Sequence, residues 1–116
     1  MKDDDQFELV EVHAPRGAEH MTAVFADEHR VELPHRVLRG FCPCAGCQGH
    51  DAGCRFVEGG DLTLSEVIEV GNYALRLTWG DGHSTGIYSF RYLRALCACV
   101  HCCSGDPTAR TFERRP

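Results

Sequence analysis

The first half of the chain has two short β-type runs: 22–25 is mostly apolar, and 30–33 alternates polar and apolar residues. A polar turn at 27–28 separates these runs, so the pattern predicts a β-hairpin. A proline then opens the segment 34–40, in which an apolar pair precedes a final glycine. That order is typical of a short helix that begins at the proline and ends at the glycine.

The second half repeats this organisation with one more strand. Runs rich in β-branched and apolar residues at 64–70, 73–79 and 84–88 predict three strands, with turns at 71–72 and 81–82. Every second residue of the middle strand, starting at Tyr73 and ending at Trp79, is apolar or aromatic. These residues are predicted to form the core face of the strand, because side chains in a strand alternate between its two faces.

A second short helix follows the last strand. Ser89 is a suitable N-cap, and Phe90, Leu93 and Leu96 recur at helical spacing along one side. We therefore expect a helix that leads directly into a cluster of cysteines.

The same features occur in the same order in both halves, which indicates a tandem duplication. The matched features are 27–29 with 81–83, Leu38-Arg39 with Leu93-Arg94, and Cys42-x-Cys44-x2-Cys47 with Cys97-x-Cys99-x2-Cys102. The predicted fold is a small α+β domain of two pseudo-symmetric units, each an antiparallel hairpin followed by a short helix and a cysteine knuckle. We expect residues 1–19 to be a flexible acidic arm, 20–103 the domain, and 104–116 a flexible tail.

Composition decides how the cysteines are interpreted. The 116 residues suffice for one domain, and eight of them are cysteines. The acidic N-terminus is not followed by an apolar run, so we expect no secretory signal and no membrane span, and a cytoplasmic location. In a reducing compartment, clustered cysteines more often bind metal or act in redox chemistry than form disulfides. The net charge of −5 argues against nucleic acid as a partner.

Each knuckle offers three thiolates that can converge on one centre, which leaves one position vacant on a tetrahedral zinc. The candidates for the fourth ligand are Cys54, His50 or His83 for the first knuckle, and Cys103, His101 or His29 for the second. If the two units pack about a pseudo-twofold axis, each unit gives the other the same ligand. We therefore hypothesise two exchanged Cys3His sites, in which His83 completes the first knuckle and His29 completes the second.

The strings VGNYALRLTWGDGHSTGIYSFRYLRALC and LPHRVLRGFCPCAGCQGH resemble the gamma-butyrobetaine hydroxylase-like N-terminal domain. In hydroxylases of that family the domain precedes an iron- and 2-oxoglutarate-dependent catalytic domain. It holds a structural zinc through a CPCxxC knuckle and a later histidine. The resemblance thus implies zinc ligands at Cys42, Cys44, Cys47 and His83. It implies no ligands in the second knuckle, and the second site is predicted from the internal symmetry alone.

We expect a non-catalytic accessory domain that binds one or two zinc ions and acts through another protein. Only 13 residues follow Cys103, so we expect no catalytic domain and no hydroxylase activity. One alternative is an iron-sulfur carrier or assembly factor, because the family domain also occurs fused to an iron-sulfur P-loop ATPase. Cys54 and Cys103 would then be the additional thiolate ligands. The other alternative is a docking or regulatory module for a separate 2-oxoglutarate-dependent dioxygenase.

Overall fold

The computed structural model of the chain describes residues 3–44, 48, 53–84, 86–103 and 105–112. Two of the candidate ligands, Cys47 and His50, lie outside these residues. The strands in the described part are β1 (Leu9–His13), β2 (His20–Phe25), β3 (Arg30–Pro34), β4 (Cys54–Arg55), β5 (Leu64–Val70), β6 (Ala74–Trp79), β7 (Gly86–Ser89) and β8 (Thr111–Phe112). The α-helices there are α1 (His35–Gly40) and α2 (Phe90–Ala95), and 3-10 helices cover Asp3–Phe7 and Pro107–Ala109.

The strands form two similar antiparallel sheets, which confirms the predicted α+β class. One sheet has the order β1-β2-β3 and the other β5-β6-β7, so each unit is a three-stranded meander. A short helix follows each meander, α1 after β3 and α2 after β7. Strands β4 and β8 pair separately, as a two-stranded ribbon.

The core lies between the inner faces of the two sheets and the two helices. Strands β2 and β6 both bury every second residue, and the sequence pattern predicts this for Leu75, Leu77 and Trp79 of β6. The buried residues of these two faces are Met21, Ala23 and Phe25 in β2, and Leu75, Leu77 and Trp79 in β6. Each large side chain removed from water in this way contributes about 1.5–3 kcal/mol. The hairpins are thereby fixed in register, because a shift of one residue would turn these side chains to the solvent.

Both helices have six residues and end at a cysteine knuckle. The hydroxyl of Ser89 accepts a hydrogen bond from the backbone N–H of Tyr92 at 3.0 Å, which confirms the predicted N-cap. Pro34 occupies the equivalent position before α1 and has a φ of −57°. No helix among the described residues is long and apolar enough to cross a membrane.

The predicted two-residue turn between β5 and β6 is wrong. Val70 pairs with Ala74, so three residues form the loop, and Gly71 adopts a left-handed φ of 56°. Tyr73 therefore lies in the loop and not at the start of the core face, and its side chain is 60% exposed.

The structure places regular elements in both segments that we expected to be flexible. Strand β1 lies in residues 1–19 and pairs with β2, with Val12 opposite Ala23. Strand β8 lies in residues 104–116, and its Phe112 pairs with Cys54 and packs against the core. Strand β8 has only two residues and pairs with a distant segment, so the sequence gives it no periodic pattern. Strand β1 forms by pairing with the next strand, β2.

Candidate metal centres

The two candidate histidine ligands lie on two hairpin tips that share one hydrogen-bond pattern. The carboxylate of Asp27 accepts a hydrogen bond from the backbone N–H of His29 at 3.2 Å, and Asp81 accepts one from that of His83 at 3.0 Å. Each histidine carbonyl accepts the N–H of the residue that ends the incoming strand, at 3.1 Å in the first tip and 2.9 Å in the second. The middle residue of each tip has a left-handed φ, of 70° and 87° respectively. The duplication seen in the sequence therefore extends to the backbone.

The second cysteine knuckle gathers around the histidine of the first unit. The Nε2 atom of His29 lies 3.5 Å from the sulfur of Cys97, 3.8 Å from that of Cys99 and 3.3 Å from that of Cys102. These four ligand atoms all lie within 4.8 Å of one another. Cys97 is buried and Cys102 is exposed, so the cluster lies at the edge of the core.

The first knuckle gathers around the histidine of the second unit. The Nε2 atom of His83 lies 3.3 Å from the sulfur of Cys42 and 3.7 Å from that of Cys44. Cys42 is fully buried, and Cys44 is partly buried. The third thiol expected here, Cys47, lies outside the described residues.

The separations in both clusters fit one tetrahedral ion. With zinc–sulfur and zinc–nitrogen bonds of about 2.3 and 2.05 Å, neighbouring sulfur and nitrogen ligands stand about 3.6 Å apart. The five sulfur–nitrogen distances run from 3.3 to 3.8 Å. Both groups of side chains could therefore hold a metal ion, and each contains the exchanged histidine that the internal symmetry predicts.

The comparisons with known proteins place the chain in a family. Residues 12–94 match the family model for the gamma-butyrobetaine hydroxylase-like N-terminal domain. The chain belongs to this family. The match covers both hairpin tips and ends within α2, three residues before Cys97, so the family resemblance seen in the sequence is confirmed.

Solved structures of similar proteins have the same fold. A crystal structure of a protein of unknown function from Acidithiobacillus ferrooxidans, a member of the DUF971 family, has a TM-score of 0.67 and 32% identity. The alignment covers 84% of this chain and all of that one. Two structures solved in solution by NMR have TM-scores of 0.66 and 0.59 with 26% and 29% identity, and they cover 84% and 77% of this chain and 74% and 71% of their own. No protein in the curated set matches the chain.

In this family member, an ion pair that the sequence analysis missed connects one hairpin tip to the helix before the second knuckle. Two nitrogens of Arg94 donate to the two carboxylate oxygens of Asp27 at 2.9 and 2.7 Å. The pair is less than one-fifth exposed, and the Arg94 hydrogen bond lowers the pKa of Asp27 to about 2. Asp27 thus shapes the turn that carries His29 and also fixes that turn to α2. The arginine recurs as Arg39 in the first unit, and this repetition is the signal that could have revealed the contact.

The pKa values of the thiols and the imidazole in the second cluster indicate that a bound cation would stabilise it. Burial and the neighbouring thiols raise the pKa of Cys102 to about 12, and burial also raises the pKa of Cys97. Burial acts in the same direction on Cys99, but hydrogen bonds with these two thiols outweigh it, so the pKa of Cys99 is lowered. Burial, together with the nearby Arg94 charge, lowers the pKa of His29, so the imidazole keeps a free lone pair at neutral pH. Three thiolates are unfavourable in this space without a compensating charge, and a divalent metal would supply it.

Two tyrosines of the second unit hold the first knuckle. The hydroxyl of Tyr88 donates to the carbonyl of Leu38, and the hydroxyl of Tyr92 donates to the carbonyl of Phe41. Both tyrosines are fully buried, and burial raises the pKa of Tyr88 well above its usual value, so it remains a donor. The carbonyls that end α1 are thereby satisfied without water.

An arginine of the C-terminal segment holds the second knuckle. One terminal nitrogen of Arg110 donates to the carbonyls of Ala95 and Cys97 at 2.9 and 3.1 Å. The other donates to the carbonyl of Leu96 at 2.7 Å. This cation satisfies the carbonyl end of α2 and opposes the negative end of the helix dipole. Nothing in the local sequence predicts the contact, because Arg110 comes from a segment without periodic pattern.

The other candidate ligands stand apart from both clusters. Cys54 is buried in β4, and Cys103 is directed towards the carbonyl of Gly105 at 3.7 Å. His101 is exposed, and none of these three side chains belongs to either described group of converging ligand atoms. His50 lies outside the described residues.

Proposed function

We propose that this domain is a non-catalytic module that binds two zinc ions in Cys3His sites and works through a protein partner. The observation that supports this most directly is the second cluster, where three thiols and one imidazole converge within 4.8 Å. In the first site Cys42, Cys44 and His83 supply three ligands, and Cys47 is the fourth by the symmetry of the two knuckles.

The spacing favours a single ion over an iron-sulfur cluster. In a [4Fe–4S] cluster each thiolate binds a different iron, so the ligand atoms stand around a core that is several ångströms wide. The four ligand atoms of the second group instead lie within 4.8 Å of one another, close enough for all four to bind one ion. One of the four belongs to an imidazole. Thiolates with one imidazole in tetrahedral array are the ligands typical of structural zinc.

The metal in such a site has a structural role. Four protein ligands fill the coordination sphere of tetrahedral zinc and leave no position for a substrate or an activated water. Each ion instead links a hairpin tip of one unit to the knuckle of the other. The thiols must be reduced to bind it, so we place the protein in the cytosol.

Elemental analysis with an absorption spectrum tests the proposal. Protein purified without added metal and without air is expected to contain two zinc ions per colourless chain. Adding a strong chelator is expected to lower its melting temperature, because metal binds only the folded sites. Brown protein with iron and acid-labile sulfide would contradict the zinc proposal and favour the iron-sulfur carrier.

Single substitutions assign the ions to the sites. Cys44→Ser and Cys99→Ser are each expected to reduce the zinc content from two to one. Cys103→Ser is the matched control, since this thiol lies outside both clusters, and it should retain both ions. Two ions in Cys99→Ser would refute the second site.

A further inference from the structure

A groove of about 720 Å³ runs along the free side of β1, and none of its lining residues is a candidate metal ligand. Six consecutive residues, 7–12, line one wall of it. Because successive side chains of a strand point to opposite faces, a cavity lined by consecutive residues lies at the edge of the strand. The groove therefore follows the edge of β1.

The floor of the groove is formed by β5, β6, the loop between them and α2, and it combines apolar with polar residues. Val67 and Glu69 are two residues apart in β5, so they present one face of that strand to the groove. Asn72, Leu75 and Phe90 complete the floor, and the last two pack on the core. A segment in the groove would thus lie beside β1 and meet both apolar side chains and a carboxylate.

The edge of β1 is open for pairing within the described part of the chain. Strand β1 pairs there with β2 alone, as the outer strand of its sheet. An outer strand presents unpaired N–H and C=O groups that can pair with an added strand. Val10, at the centre of this edge, is 63% exposed, although exposed valines on an edge strand favour unwanted association.

The charge around the groove selects the partner. Glu8, Glu11 and Glu69 line it, and no described lining residue is lysine or arginine. A cation borders the groove at Arg91 in the adjoining depression, where its guanidinium lies 4.1 Å from the centre of the Phe7 ring. A second copy of this chain fits poorly, because its own β1 would bring glutamates against glutamates.

We infer that the groove binds an extended segment of a partner protein in which basic residues alternate with apolar ones. The segment adds a fourth strand to β1, places its apolar side chains over Val67 and Leu75, and pairs its basic side chains with Glu8 and Glu69. This inference rests on the proposed function only in that the domain works through a protein; it does not depend on the identity of the metal.

The test uses the full-length, metal-loaded protein and a fluorescent capped peptide of about eight residues, in which arginine alternates with valine. Binding is followed by fluorescence anisotropy and by backbone amide chemical shifts. We expect saturable binding, with shift changes concentrated at residues 7–12 and at Val67. The same peptide with alternate backbone amides methylated should not bind, because it cannot pair with the strand edge.

Matched charge reversals separate the groove from general attraction to an acidic protein. Glu8→Lys combined with Glu69→Lys is expected to weaken binding about tenfold or more. Glu19→Lys combined with Glu66→Lys changes the net charge equally, at exposed positions outside the groove, and should leave the affinity unchanged.

Three results would overturn the inference. One is equal weakening by both double variants, and another is a set of shift changes away from β1. The third is self-association of the wild-type chain in sedimentation experiments that Val10→Arg abolishes, since the occupant would then be a second copy. Zinc content is measured on the same samples. A wild-type chain that holds two zinc ions but does not bind the peptide refutes the groove alone. A wild-type chain that binds the peptide but holds no zinc as purified refutes the zinc proposal alone.

Discussion

Replacing Gly86 with alanine tests the first metal centre through one added methyl group. Gly86 begins β7, and a Cβ atom on it would lie 2.8 Å from the sulfur of Cys42 and 2.9 Å from a ring carbon of Tyr88. Ordinary contact begins at 3.4 Å, so the sulfur must move by about 0.6 Å. The φ of Gly86 is outside the left-handed region, so alanine fits the backbone and the perturbation is steric.

The required displacement is large for a metal ligand. Metal–ligand distances in a working site stay within about 0.2 Å of their ideal values. The ring of Tyr88 is fully buried and cannot move away to make room. We expect Gly86→Ala to weaken zinc binding at the first site by about 10- to 100-fold, with an overpacking cost of about 1–3 kcal/mol in the free energy of unfolding.

Competition with a coloured zinc chelator measures the affinity of each site, and urea unfolding measures stability. Gly105→Ala is the control, because its φ is also outside the left-handed region and no atom of the described residues lies within 4 Å of the added Cβ. It should bind both ions as the wild type does. A folded Gly86→Ala protein that binds two zinc ions with unchanged affinities would show that the sulfur of Cys42 is not a ligand where the structure has it.

Three further substitutions test other contacts of the sites. His29→Ala is expected to reduce the zinc content from two to one, measured by elemental analysis, and two bound ions would exclude His29 as a ligand. Arg110→Ala removes the charged group that donates hydrogen bonds to three carbonyls, so it should lower the free energy of unfolding in urea by about 1.5–3 kcal/mol. Arg76→Ala changes an exposed side chain and should leave the free energy of unfolding nearly unchanged. Asp27→Asn keeps an oxygen for the turn but loses the partly buried ion pair, so it should cost about 1–2 kcal/mol and weaken the second site. Glu58→Gln breaks a pair that is more than half exposed and should cost less than about 0.5 kcal/mol; equal costs would contradict the role given to Asp27.

The sequence predicts the parts of this protein that repeat. The hairpins and the exchange of histidines follow from patterns that occur in both halves, so each copy supports the interpretation of the other. The N-cap at Ser89 follows from the local sequence alone, because Pro34 occupies the equivalent position in the first unit. The exchange in particular needs no three-dimensional information beyond a pseudo-twofold axis. His29 and His83 occupy equivalent places in the duplication, so a contact made by one implies a contact made by the other.

Local patterns miss the parts that are short or that occur in only one copy. Strand β1 alternates over only a few residues beside an acidic segment, and β8 has two residues, so neither gives a sustained period in the sequence. Arg110 holds the second knuckle, whereas two tyrosines from the opposite unit hold the first. These supports arose at different places in the two copies, so the duplication gives no information about them.

The exchange of ligands makes the two sites parts of a single crosslink. A metal in either site fixes the same pair of units to each other, because each site takes its thiols from one unit and its imidazole from the other. The two units also share one hydrophobic core, so the metal adds to a packing that already holds them together. If both sites bind metal as proposed, an ion in one site would further restrict the hairpin tip and the knuckle of the other. We then expect the coupling between the two binding events to be favourable, and by linkage each ion to strengthen the binding of the other.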